Sequence, residues 1–255
     1  MRIDLETPEG PLDTYVFTPT GEGPWPAVIL YMDAFGVRPN LFSMAQRLAS
    51  NGYVVAVPNL YHRSGAFEPF DPAVATSDGP ERARFTGMIR SIDGAKVMAD
   101  TKEVLTHLDG RSNVQPGPVG TLGYCMGGGY ALLAAGTFPD RVAAAASFHG
   151  GSLATDRPDS PHLLATEMRA RVHVGVAEID HTFDAAQQAR LEDALTRAGV
   201  QYTLDVYKGA RHGFAVTGHL VYDKDASERH WAQVIALFGD TIGRSHGESQ
   251  TGAQG

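Results

Sequence analysis

Short apolar runs separated by stretches of helical period are what most narrows the folds open to this chain. AVILYM from Ala27, YVVAVP from Tyr53, VGTLGY from Val119 and VAAAASF from Val142 each have the length and character of a strand buried on both faces. RVHVGVAE from Arg171 and YTLDVYK from Tyr202 continue the series. Between them the period changes. Leu41 to Ala49 follows Pro39-Asn40 and stops at Asn51-Gly52, as a capped helix does. Val97, Val104, Leu105 and Leu108 fall on one helical stripe. Met126 to Phe138, Phe183 to Ala198 and Ala226 to Phe238 complete the helical set. Strands alternating with helices specify an α/β fold, a mostly parallel sheet covered on both faces. Ile3 to Thr7 and Leu12 to Phe17 instead alternate apolar with polar around Pro8-Glu9-Gly10-Pro11, which predicts a β-hairpin at one sheet edge.

The chain has 255 residues and no internal repeat or linker, so residues 1–244 are expected to form a single domain. Residues 245–255 lack bulky apolar side chains and are expected to be a flexible tail. Residues 61–93 begin rich in Pro, Gly and Asp and read as a long loop, either a flap over a site or a surface excursion. Asp plus Glu total 29 against 21 Lys plus Arg, a net charge of −8 that argues against nucleic-acid binding. A lone cysteine excludes an internal disulfide and a Cys-rich metal site. MRIDLETPEG has neither the basic start nor the apolar run of a signal peptide, and no apolar stretch nears the ~20 residues of a membrane helix. A soluble, cytoplasmic protein with no membrane contact is expected.

The chemistry is concentrated in VGTLGYCMGGG, residues 119–129. A buried strand runs into Gly123-Tyr124-Cys125-Met126-Gly127 and an Ala-rich helix follows, which is the G-x-S-x-G nucleophile elbow with Cys for Ser. Side chains at Gly123 and Gly127 would collide with neighbouring backbone, so the turn can be sharp enough to lift the sulfur above the sheet. The start of a helix favours a thiolate there. The Met126 N–H points to where a carbonyl oxygen would become an oxyanion. The alternative is a small buried hydrophobe, the common fate of a free cysteine.

Such an elbow takes its acid and base from later in the chain, in that order. Asp180 follows the strand ending near Glu178, and His212 lies in the loop after the strand ending near Lys208. Asp180 would orient His212, and His212 would exchange the proton with Cys125 and the leaving group. His149, at another strand end, is the main rival base; His181 and His173 are weaker ones, and Asp184 and Asp205 are alternative acids. Just past the first buried strand, the Ala34 N–H is placed to be the second oxyanion donor. Asp33 beside it either accepts the thiol proton or holds the loop through hydrogen bonds. His219 and His230 show no metal-ligand spacing, and Trp25, Trp231 and Tyr222 read as core or pocket aromatics.

DAFGV at Asp33, GYCMGG at Gly123, EIDHTF at Glu178 and GARHGFA at Gly209 together resemble the dienelactone hydrolase family of α/β-hydrolases, over about Ala27 to Phe238. The resemblance implies an α/β-hydrolase fold and a Cys–His–Asp triad cleaving a small-molecule ester or lactone without a metal or organic cofactor. In the family archetype a glutamate at the position of Asp33 helps switch the cysteine to its thiolate, and an arginine shortly after the catalytic histidine grips a substrate carboxylate. Val216 stands at that second position, which points to a less charged acyl group. Two other classes use the same residues: a redox sensor built on an exposed thiol, and a binding protein on a hydrolase fold.

Overall fold

The computed structural model describes residues 1–243. Eight strands form one sheet in the order β1-β2-β4-β3-β5-β6-β7-β8. β1 (Arg2–Leu5) and β2 (Leu12–Phe17) are the antiparallel edge hairpin, and β2 continues antiparallel onto β4 (Val54–Pro58). β3 (Ala27–Tyr31), β5 (Val119–Tyr124), β6 (Val142–Phe148), β7 (Arg171–Ile179) and β8 (Tyr202–Arg211) run parallel with β4. Burial follows the periods in the sequence. Every residue of β3, β4 and β5 is buried, whereas β2 alternates buried with half-buried positions.

The helices are α1 (Pro39–Ser50), α2 (Pro72–Ala75), α3 (Pro80–Ser91), α4 (Gly94–Asp109), α5 (Met126–Thr137), α6 (Ala185–Arg197) and α7 (Lys224–Thr241). The pleat of β5 shows how they divide. A Cβ on Gly120 would meet Phe238 of α7 at 2.7 Å, whereas one on Gly123 would meet the backbone of α5. Those positions are three apart and so face opposite sides of the sheet, which puts α5 and α7 on opposite faces. Arg47 of α1 pairs with Glu228 of α7 and lies over the buried Trp231, so α1 shares the α7 face.

The chain steps outward from β3 to β4, then crosses back to lay β5 on the other side of β3. That reversal opens a crevice at the carboxyl ends of β3 and β5, where α/β sheets bind their ligands.

Residues 61–93 differ from the sequence expectation. The first part is irregular with two short helical turns, but Pro80–Ser91 is a three-turn helix started by Pro80. None of its residues is fully buried, and Gly87 interrupts it, so it lacks the apolar stripe by which the other helices are read. It is held by rings: Phe85 stacks on Phe35 at 4.9 Å and meets Phe70 edge-on at 5.1 Å. The expected tail lies outside the described residues.

Candidate active site

Cys125 sits between β5 and α5 with φ 54° and ψ −121°, a strained conformation for a residue with a side chain. The flanking glycines make that turn attainable. A Cβ on Gly123 would lie 1.9 Å from the Gly127 carbonyl oxygen, and one on Gly127 would lie 2.5 Å from that of Met32. Neither neighbour is a flexible side-chain end that could move aside. The sulfur is partly exposed and faces a cavity of about 360 Å³ that it shares with His212, Thr182, Ala34 and Met126.

His212 and Asp180 arrive on neighbouring strand ends. β7 and β8 pair in parallel, and a register shift between Ala177 and Ile179 brings the two loops together. His212 Nδ1 lies 2.6 Å from Asp180 Oδ2. The other carboxylate oxygen accepts from the Thr182 backbone N–H at 2.8 Å and from its hydroxyl at 2.7 Å. Asp180 is thereby held in one orientation. Burial disfavours its charge, but the contacts with His212 and Thr182 keep its carboxyl below the usual range. For His212 burial acts to lower the pKa; the Cys125 charge and hydrogen bond, with those of Asp180, outweigh it and raise the imidazole to about 10. Sulfur, imidazole and carboxylate thus form one electrostatic relay.

Asp33 belongs to a second cluster. Its two oxygens take Arg38 Nη1 at 2.6 Å and Nη2 at 2.7 Å, a bidentate pair buried in the protein. His219 Nε2 stands 3.2 Å from the same carboxylate and 3.1 Å from Arg38 Nη2. Oδ1 also accepts the Phe35 N–H at 3.0 Å. Burial pushes the Asp33 carboxyl up, yet His219 and Arg38 together hold it at about 2. The loop is tied down twice more, by the Tyr61 hydroxyl on the Ala34 carbonyl and by the Phe70 N–H on the Phe35 carbonyl. Among the described residues neither the Ala34 N–H nor the Met126 N–H has an internal partner.

Of the rival residues, His149 lies beside His212 and the others are placed elsewhere. His149 is buried with its ring centroid 5.2 Å from that of His212, and neither ring nitrogen has a partner among the described residues. Burial, and then the charges of His212 and His219, hold it well below its ordinary pKa, so it stays neutral. His181 is exposed, His173 is buried in β7, Asp184 caps α6, and Asp205 pairs with Arg229. His230 bonds the Tyr124 hydroxyl. Val216 is packed in the core and does not line the cavity, so it does not set the polarity of the substrate site.

Arg38, His219 and Thr182 went unrecognised in the sequence. Thr182 was readable, because an acid followed two residues later by Thr can close a local side-chain turn. A buried Arg38 carries no such signal.

A hairpin-edged, mostly parallel sheet with its nucleophile elbow at the β5–α5 turn is the α/β-hydrolase fold. The family model for the dienelactone hydrolase family matches residues 12–242, and the chain belongs to that family. It is 28% identical over 229 residues to a Synechocystis protein named, by inference, a carboxymethylenebutenolidase, covering 88% of this chain and 89% of that one. A Bradyrhizobium protein assigned by inference as a 2-oxo-3-(5-oxofuran-2-ylidene)propanoate lactonase is 25% identical over 237 residues, 91% of each chain. A solved Klebsiella pneumoniae structure, assigned by inference as a dienelactone hydrolase, superposes with a TM-score of 0.82 at 23% identity. It covers 94% of this chain and 97% of its own. The protein is accordingly a hydrolase of this family, and no helix among the described residues is long and apolar enough to cross a membrane.

Proposed function

We propose that the protein cleaves a small ester or lactone through an acyl-thioester on Cys125. The observation that carries this reading is the Cys125–His212–Asp180 relay, whose sulfur opens into a cavity beside two unpartnered backbone N–H groups.

With His212 held as imidazolium, the sulfur is ready to attack the carbonyl carbon. The C–S bond forms, and the carbonyl oxygen takes negative charge facing the Ala34 and Met126 N–H groups. The tetrahedral intermediate then collapses. The C–O bond breaks and the leaving oxygen takes the proton from His212. Once the sulfur is acylated it carries no charge, which removes the leading influence that raised His212. The neutral imidazole can then take a proton from water, which attacks the thioester; the acid departs and the thiolate–imidazolium pair returns. Asp33 has no part in these transfers. Paired with Arg38 and His219, it holds the loop that presents Ala34.

The test is incubation with short acyl esters and lactones, followed by intact-mass spectrometry. The wild type is expected to gain one acyl group and lose it again, and Cys125→Ala to gain none. His212→Ala should lose roughly 10³-fold or more in turnover while keeping its circular dichroism. Turnover that survives Cys125→Ala would overturn the reading, and a thiol that reacts with peroxide but never acylates would favour a redox role.

A further inference from the structure

Resting on the cysteine-hydrolase reading above, we propose that the cavity is an acyl groove for uncharged chains of medium length, and that Gly129 sets the length it admits.

The groove follows α5. Cys125, Gly129 and Leu133 are spaced four residues apart and all line the cavity. Residues at that spacing share a helix face. From the nucleophile to Leu133 is eight residues, or roughly 12 Å of helix rise. Ile89 and Ile92, at the end of the α3 segment, supply apolar side chains to the cavity wall.

Gly129 differs from the other glycines of the elbow. Added Cβ atoms at Gly123, Gly127 and Gly128 would each meet another atom at 2.5 Å or less. At Gly129 the nearest atoms would be Leu153 Cδ2 at 3.8 Å, with the Gly151 carbonyl oxygen and Pro161 Cγ at 3.9 Å. Backbone packing therefore does not demand glycine here. Gly151 and Pro161 also line the cavity, so a side chain at 129 would project between its walls. The absent side chain leaves the groove open beyond its first turn.

Charge at the far end selects against anions. Leu133 is packed where a Cβ on Gly94 would meet it at 2.7 Å, and the Asp159 Cβ lies 3.9 Å from the same point. Asp93 and Asp159 both line this part of the cavity. Arg157 is the one guanidinium in the lining among the described residues, and Asp159 already engages it through Nε at 3.0 Å and Nη2 at 2.8 Å. Lys96 Nζ stands 3.7 Å from Asp93, so a terminal carboxylate on the acyl chain would meet two carboxylates whose two cations are already engaged. An alkyl end meets Leu133 and the isoleucines instead.

The test uses the full chain with p-nitrophenyl acetate, butyrate and hexanoate, and with the p-nitrophenyl monoester of adipate, which has the length of hexanoate and a terminal charge. Wild-type kcat/KM is expected to rise about a hundredfold from acetate to hexanoate as four methylenes are buried. Adipate should fall below hexanoate by about tenfold or more. Gly129→Leu should cut the hexanoate-to-acetate ratio by about tenfold or more, with Gly129→Ala between. The Ala variant keeps the test decisive if Leu impairs folding. A flat or falling length profile, adipate matching hexanoate, or Gly129 variants lowering all esters by one factor would each overturn the groove. If Cys125 still forms the thioester in those cases, the hydrolase reading stands; if no ester acylates it, both fall.

Discussion

At the scale of single residues, the site separates two carboxylates by what they touch. Asp180 faces the imidazole of the relay, whereas Asp33 faces a guanidinium and a second histidine. Asp33→Asn would leave Arg38 buried without its counter-charge, and an expected loss of about 3–5 kcal/mol in urea unfolding follows. Its pH behaviour has a definite sign. Because the folded state holds Asp33 at about 2, below the ordinary ~3.9, its contribution is present above pH ~4 and is lost as pH falls toward 2. The wild type should lose stability over that window more steeply than Asp33→Asn, as read by urea midpoints at each pH. That Cys125, Asp180 and His212 come together was legible in the sequence, because the elbow glycines and strand-end loops mark them locally. The clamp was not: Arg38 lies only five residues past Asp33 but carries no local signal that it folds back and is buried, and His219 reaches Asp33 across 186 residues of chain. Of the two readings of Asp33, its pairing with Arg38 and His219 supports the one that holds the loop.

Among the elements, α3 is the one whose place the sequence concealed. Strands and buried helices announce themselves by period, since one face or both must be apolar; α3 is docked by a few rings and has no such stripe. Phe85 is its main anchor, and the ring beneath it, Phe35, belongs to the loop carrying Ala34. We infer that residues 61–93 act as a flap whose ordering and oxyanion geometry are linked through that stack. Phe85→Ala is therefore expected to speed proteolysis within residues 79–91 and to lower ester turnover. With no fully buried residue in the helix, the global melting transition should shift little. A large fall in melting temperature with unchanged turnover would show instead that the stack is only structural.

For the whole molecule, charge and topology have separate consequences. A net charge of −8 repels anionic substrates before they reach the groove. Raising ionic strength from ~0.01 M to ~0.15 M, which shortens screening from about 30 Å to about 8 Å, should raise kcat/KM for adipate esters while leaving neutral hexanoate nearly unchanged. Equal salt responses would show that bulk charge plays no part. Topology supplies the other consequence. The proposed nucleophile, base and acid all lie beyond residue 119 and the proposed oxyanion loop lies before residue 39, so α2 and α3 carry none of the proposed reacting groups. Yet this segment contributes Ile89 and Ile92 to the walls. Grafting a different stretch between Tyr61 and Asp93 would re-tailor which molecules are accepted, and would leave the reactive centre as it is only where Phe70 and Phe85 were kept against the loop that carries Ala34.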